Sequence, residues 1–158
     1  MLAGATTAGA QELKIGYVNS ERLLRDSAPA KAALDKLQAE FNKREKDINE
    51  MGARLKTASD RFEKDSPTLS ESERIRRQRD LLDQDREFQR KRRELQEDFN
   101  QRKYEEQSVL FERANKVIKQ IYEKEKYDLI VQEAVFASSR VDITDKVIGA
   151  LNAQASGK

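Results

Sequence analysis

The sequence predicts an α+β fold in which a small β-rich body, made from both ends of the chain, is interrupted by a long antiparallel α-helical hairpin. Three observations predict it. Charge is concentrated in the middle, where residues 31–126 hold 25 Lys+Arg and 22 Asp+Glu, 47 of the 60 charged residues of a 158-residue chain. Within that middle, apolar residues recur every three or four positions, whereas the flanks carry short alternating or continuous apolar runs. With 38% of residues charged, 37% hydrophobic and a mean hydropathy of -0.91, the chain is too polar for one compact globule. A globule of this length hides about two-thirds of its unfolded surface. Two prolines and six glycines argue against disorder, which leaves long solvated elements.

Met1 to Ala10 is small and uncharged, and Ala8-Gly9-Ala10 has the small-x-small form of a signal-peptidase site before Gln11. Residues 1–10 are read as the tail of a secretory leader, which places the working protein outside the cytoplasm. Residues 11–30 and 127–158 form the body, and residues 31–126 the hairpin. Lys14 to Asn19 alternates as a strand, and Asn19 or Ser20 can cap a brief helix through Leu24. Ser27 and Pro29 then open the first long helix. Its heptad a positions, Leu34, Phe41, Ile48, Leu55 and Phe62, are all apolar, while the d positions Leu37, Arg44, Met51, Ala58 and Asp65 degrade. Such a stripe suits a two-helix seam.

Pro67 ends that helix, and Ser70-Glu71-Ser72-Glu73 is a capping box that starts the next. Leu81, Phe88, Leu95 and Phe99 continue the stripe, which thickens into Val109, Leu110, Ala114, Val117, Ile118 and Ile121 and ends near Lys126. At about 1.5 Å per residue the two helices run roughly 50 Å and 80 Å, antiparallel across the turn near Pro67. Gly52 costs the first helix about 1 kcal/mol relative to Ala and is a candidate hinge. Beyond the hairpin, Tyr127 to Gln132 and Glu133 to Ser138 are strand candidates. Asp142 or Thr144 caps a last helix that buries Val147, Ile148 and Leu151. The two ends must meet, since neither has strands enough alone. Together they supply roughly fifty residues, near the lower limit for an independent core, so oligomerisation is expected to support them.

Zero Cys and zero His remove thiol nucleophiles, Cys-type zinc sites and the commonest base and metal ligand. No G-x-x-x-x-G-K-[ST] loop is present, and no apolar run approaches the eighteen or so residues of a membrane span. The carboxylates are spread along solvated helices, so nothing aims a general acid and base at one another. The chain is therefore read as a non-enzyme without a cofactor. A net charge of +2 is too balanced to predict a nucleic-acid protein by itself, and no aromatic-basic motif accompanies the arginines.

The ordered combination of Lys14 to Asn19, Ser27 to Phe41, a charged helical hairpin, Tyr127 to Ala137 and Asp142 to Asn152 resembles the Skp (OmpH-like) family across residues 13–152. Pro29-Ala30-Lys31 departs from the family's more usual Gly-Lys pair, which touches only the helix start. The resemblance implies a periplasmic, ATP-independent holdase. It implies a homotrimer with a shared β-barrel body, from which helical tentacles enclose unfolded outer-membrane β-barrel proteins. The oligomerisation residues expected on this reading are Ile15, Val18, Leu129, Val131, Ile143 and Val147. The resemblance further implies binding of lipopolysaccharide or an anionic membrane surface, with Lys91 and Arg102 at comparable positions and Arg92 as a further candidate.

The surfaces have plainer readings as well. Phe41, Phe62, Phe88 and Phe99 suit the hairpin's own seam better than client contact, and basic clusters are commonly solvated faces paired to nearby carboxylates. Arg61, Lys64, Arg74, Arg76, Arg77 and Arg79 lie next to the turn, where they would concentrate positive potential for client capture. The alternatives are a structural coiled-coil spacer, which leaves the strand-bearing ends unused, and a basic nucleic-acid-binding coiled coil, whose field the interleaved Asp and Glu dilute.

Overall fold

The computed structural model describes residues 12–157. The leader-like segment 1–10 therefore lies outside the described residues. The elements are β1 (Ile15–Val18), α1 (Ser20–Asp26), α2 (Ala28–Asp65), a 3-10 turn (Ser66–Thr68), α3 (Glu71–Glu125), β2 (Leu129–Gln132) and α4 (Thr144–Ser156). The fold is α+β: mostly helical, with a long helical hairpin and a small strand pair drawn from the two ends. Two compact units divide the chain, one of residues up to Ala32 together with those from Gln107 onward, the other of Ala33–Glu106.

In the unit made from the chain ends, β1 and β2 pair in parallel, Ile15 opposite Leu129 and Val18 opposite Gln132. Parallel strands need a crossover of a dozen or more residues, and here the crossover is the whole helical hairpin. Because side chains alternate along a strand, Gly16, Val18 and Ile130 face inward while Ile15, Tyr17, Leu129 and Val131 share the other face. A Cβ at Gly16 would stand 3.0 Å from the Ile143 side chain and 3.2 Å from the Tyr127 ring, tighter than an ordinary contact, so the glycine lets both pack close. The core gathers Val18, Leu23, Ala114, Val117, Ile121, Tyr127, Ile143, Val147 and Leu151. The last turns of α3 thus supply part of it, where the apolar stripe thickens. Asn19 caps α1, its side-chain oxygen accepting from the Arg22 amide at 2.9 Å, and the Asn19 amide donates to Thr144 Oγ1 at 2.9 Å. One residue thereby starts a helix and ties it to α4.

The expected strand over Glu133 to Ser138 is absent. Glu133 adopts the left-handed conformation (φ 63°) and turns the chain out of β2. Downstream, Tyr17 donates to the Val141 carbonyl (2.7 Å) and accepts from the Ile143 amide (2.9 Å), so the free edge of β1 is taken by 141–143. The alternating residues 134–138 have no strand partner among the described residues, and Val135 and Phe136 are 90% and 94% exposed. The start of α4 also differs in detail, because Ile143 holds the cap position while Asp142 Oδ1 accepts from the Thr144 amide at 2.8 Å.

In the hairpin unit, the Ser70 hydroxyl accepts from the Glu73 amide at 3.3 Å, half of the expected capping box. The Glu73 carboxylate closes on the Ser70 hydroxyl instead of its backbone. Leu37 and Phe41 are the buried members of the seam, and Phe41 meets Phe99 edge to face with ring centroids 5.3 Å apart. Ile48, Met51, Leu55, Phe62, Leu81, Phe88, Leu95 and Phe99 are half-buried, as a seam between only two helices must leave them. The polar d positions are interhelix ion pairs: Arg44 to Asp98 at 2.7 Å and Asp65 to Arg77 at 3.1 Å.

Candidate functional site

Among the described residues no His/Cys/Asp/Glu cluster has the form of a metal site, and no helix is long and apolar enough to cross a membrane. What the molecule offers is surface. The six residues expected to drive oligomerisation separate into two groups. Val18 and Val147 are fully buried and Ile143 nearly so, all within the chain's own core. Ile15 (39% exposed) and its cross-strand partner Leu129 (50%) lie on the outer face of the strand pair beside Tyr17 and the half-buried Val131. The exposed Leu13, Val135 and Phe136 add apolar surface to this unit. Sequence reasoning missed the last two as surface because their alternation reads as a strand.

Charge holds the same unit together at two points. Arg22 bridges to Asp142 (3.2 Å), Asp145 and Asp26, joining α1 to the start of α4. Lys146 contacts the Glu125 carboxylate at 2.6 Å, and Lys14 donates to the Glu125 carbonyl while its ammonium lies 4.3 Å from the Tyr127 ring centroid. Burial pushes the Asp142 carboxyl upward, but hydrogen bonds from the Thr144 hydroxyl and amide and the Arg22 charge outweigh it and hold it below its ordinary value. Hydrogen bonding to Lys146 likewise lowers Glu125. A carboxyl lowered by folding stabilises the fold above its unfolded pKa, and that contribution disappears as pH falls through the folded value. Stability should therefore stay flat from neutral pH toward the ordinary carboxylate range near about 4 and decline below it. Denaturant titrations across acidic pH check this, and Asp142→Asn should flatten part of the decline.

The tip of the hairpin carries mostly unpaired cations. Of its six cations only Arg77 has an ion pair, to Asp65, whereas Arg61, Lys64, Arg74, Arg76 and Arg79 have none within 4 Å among the described residues. Further along α3, Arg90 and Arg102 are compensated. Arg90 contacts both Glu87 and Glu94 at 2.6 Å, and Arg102 reaches Glu105, Glu106 and Glu40, the last at 3.7 Å. Hydrogen bonding, chiefly to Glu105, raises the Arg102 pKa further above its ordinary value.

Lys91 and Arg102 lie eleven residues apart, which puts them about 16 Å apart on one side of α3. Lys91 sits 3.8 Å from Glu87, and Arg92 is exposed, with no ion pair among the described residues. The three are not gathered into one cluster. Gly52 lies inside an unbroken α2, and a Cβ there would come within 3.1 Å of the Phe88 ring, so the glycine makes room for an aromatic across the seam.

The model of the family described as Outer membrane protein (OmpH-like) matches residues 14–151. A protein named Chaperone protein Skp from Yersinia enterocolitica is 26% identical over 149 residues, covering 93% of this chain and 91% of the relative. Its namesake from Photorhabdus luminescens is 27% identical over 139 residues, covering 87% and 84%. The crystal structure of an OmpH-like protein from Caulobacter crescentus CB15 superposes with a TM-score of 0.77 at 20% identity, covering 97% of this chain and 92% of that one. That likeness bears on the fold.

Proposed function

Because this chain belongs to the OmpH-like outer membrane protein family, we propose that it is a chaperone of the periplasm that holds unfolded outer-membrane β-barrel proteins soluble without ATP. The observation that carries the reading is the hairpin: a seam that leaves most of its apolar residues half-buried, Leu34, Ile75 and Leu82 exposed, and a tip whose cations are almost all unpaired. Scattered apolar contacts bind unfolded chains weakly and repeatedly, and free charges draw them in. The leader-like segment 1–10 supports export. No residue needs a catalytic role.

In the same reading three copies assemble through the chain ends, and each hairpin, about residues 31–126, acts as a tentacle around the client. The uncovered apolar face of Ile15 and Leu129 and the exposed Val135 and Phe136 support assembly. Light scattering behind a sizing column tests it: the mass of three chains is expected, with an unfolded porin co-eluting, and a monomeric mass at micromolar concentration contradicts the assembly.

Steering charges chiefly set association rates, while buried contacts set dissociation. Replacing Arg74, Arg76, Arg77 and Arg79 by Gln should accordingly slow client capture several-fold at low salt and barely alter release. Stopped-flow capture and chase experiments separate the two rates, and unchanged capture with faster release would reverse the assignment of the two surfaces.

A further inference from the structure

The two faces of the hairpin near its tip are not equivalent. On one face the small residues Ala53, Thr57 and Ala58 leave a groove of 580 Å³, floored also by Phe62 and Leu81 and flanked by Arg54, Arg61 and Arg77. On the other face a shallower depression carries Lys56, Asp60 and Asp85, and Lys56 is neutralised by Asp60 at 2.8 Å. Arg77 is held by Asp65 at 3.1 Å, so Arg54 and Arg61 are the guanidiniums left to the groove against the carboxylate of Asp80, over an apolar floor, while acid prevails on the other side. Among the described residues Arg61 has no ion pair, and Arg54 only a 3.8 Å approach from Glu50.

Resting on the chaperone reading, we propose that this groove binds extended acidic peptide segments in which an apolar side chain is flanked by carboxylates. The apolar residue fills the floor over Ala53 and Ala58, and the carboxylates meet Arg54 and Arg61 in charge-assisted hydrogen bonds. Arg54 and Arg61 are seven residues apart, about 10 Å along the helix, a span that carboxylates two to four residues apart match at about 3.3 Å per residue. The remaining lining favours a peptide over an anionic lipid. Asp80 can accept a backbone N–H, and Thr57 and Gln84 offer hydrogen-bond partners that a hydrocarbon chain cannot use.

Fluorescence anisotropy of the full chain tests the groove with a labelled short peptide bearing Phe between Asp residues, its counterpart with Lys for Asp, and vesicles of phosphatidylglycerol. The acidic peptide should bind in preference to the basic one, more weakly as salt rises. Arg61→Gln should weaken it about three- to fivefold, the range of a single exposed ion pair. Ala58→Leu, which fills the floor while keeping a helix former, should weaken it at least as much with unchanged circular dichroism, and Lys56→Gln on the opposite face should not. Equal binding of the basic peptide, indifference to both groove substitutions, or their effect on vesicle binding alone would overturn the proposal. A chain that keeps an unfolded porin soluble but ignores the acidic peptide rejects the groove and leaves the chaperone reading standing. One that binds the peptide yet leaves the porin to aggregate supports the groove and rejects that reading.

Discussion

Val147→Asp is expected to unfold the unit built from the chain ends, at a cost of several kcal/mol. Val147 is fully buried among Val18, Leu23, Val117, Ile143 and Leu151, with no cation in that cluster to pair a new carboxylate. A unit drawn from the chain ends has little reserve, since small domains sit only a few kcal/mol above unfolding. The four tyrosines give a direct readout, because Tyr17, Tyr122 and Tyr127 belong to this unit and Tyr104 to the hairpin. Near-ultraviolet circular dichroism from tyrosine should collapse in the variant. Leu129→Asp, at a position 50% exposed, should retain that signal and instead reduce the mass in solution. A Val147→Asp protein with a native tyrosine spectrum would mean that the core has been misassigned.

Phe41→Ala is the most damaging single truncation expected in the hairpin. Phe41 is 5% exposed, stands edge to face with Phe99, and has the Arg44 guanidinium 5.2 Å from its ring centroid. Burial, the aromatic pair and the cation contact together point to a loss of about 3 kcal/mol. Leu82→Ala, at a position 51% exposed, should cost less than about 1 kcal/mol. Urea unfolding followed by far-ultraviolet circular dichroism compares the two, and equal losses would show that the seam is not anchored at Phe41.

Local signals in the sequence reach far in this molecule. Asn19, Ser70 and Pro67 mark helix ends through side-chain chemistry that acts within three residues, and β1, α3 and α4 follow from apolar periodicity. What periodicity cannot supply is the partner. Arg44 and Asp65 read as flaws in an apolar stripe until the antiparallel register sets them beside Asp98 and Arg77. Residues 134–138 alternate as a strand does, yet the edge of β1 goes to Val141–Ile143, because Glu133 turns the chain away first. Gly52 resembles a weak point within its own helix, whereas the Phe88 ring across the seam explains the missing side chain. The clamp of Arg22 on Asp142 and Asp145 joins residues about 120 positions apart and leaves no trace in local pattern. At the hairpin tip the basic residues stand out in sequence, but which of them lack a carboxylate partner among the described residues emerges only from side-chain placement.

The central claim, that this protein keeps unfolded outer-membrane proteins from aggregating, is tested most directly by diluting a urea-unfolded porin into buffer free of nucleotide and following light scattering with and without the chain. The account predicts that scattering is suppressed stoichiometrically, with no change on adding ATP. Equal aggregation in the presence and absence of the protein would contradict it.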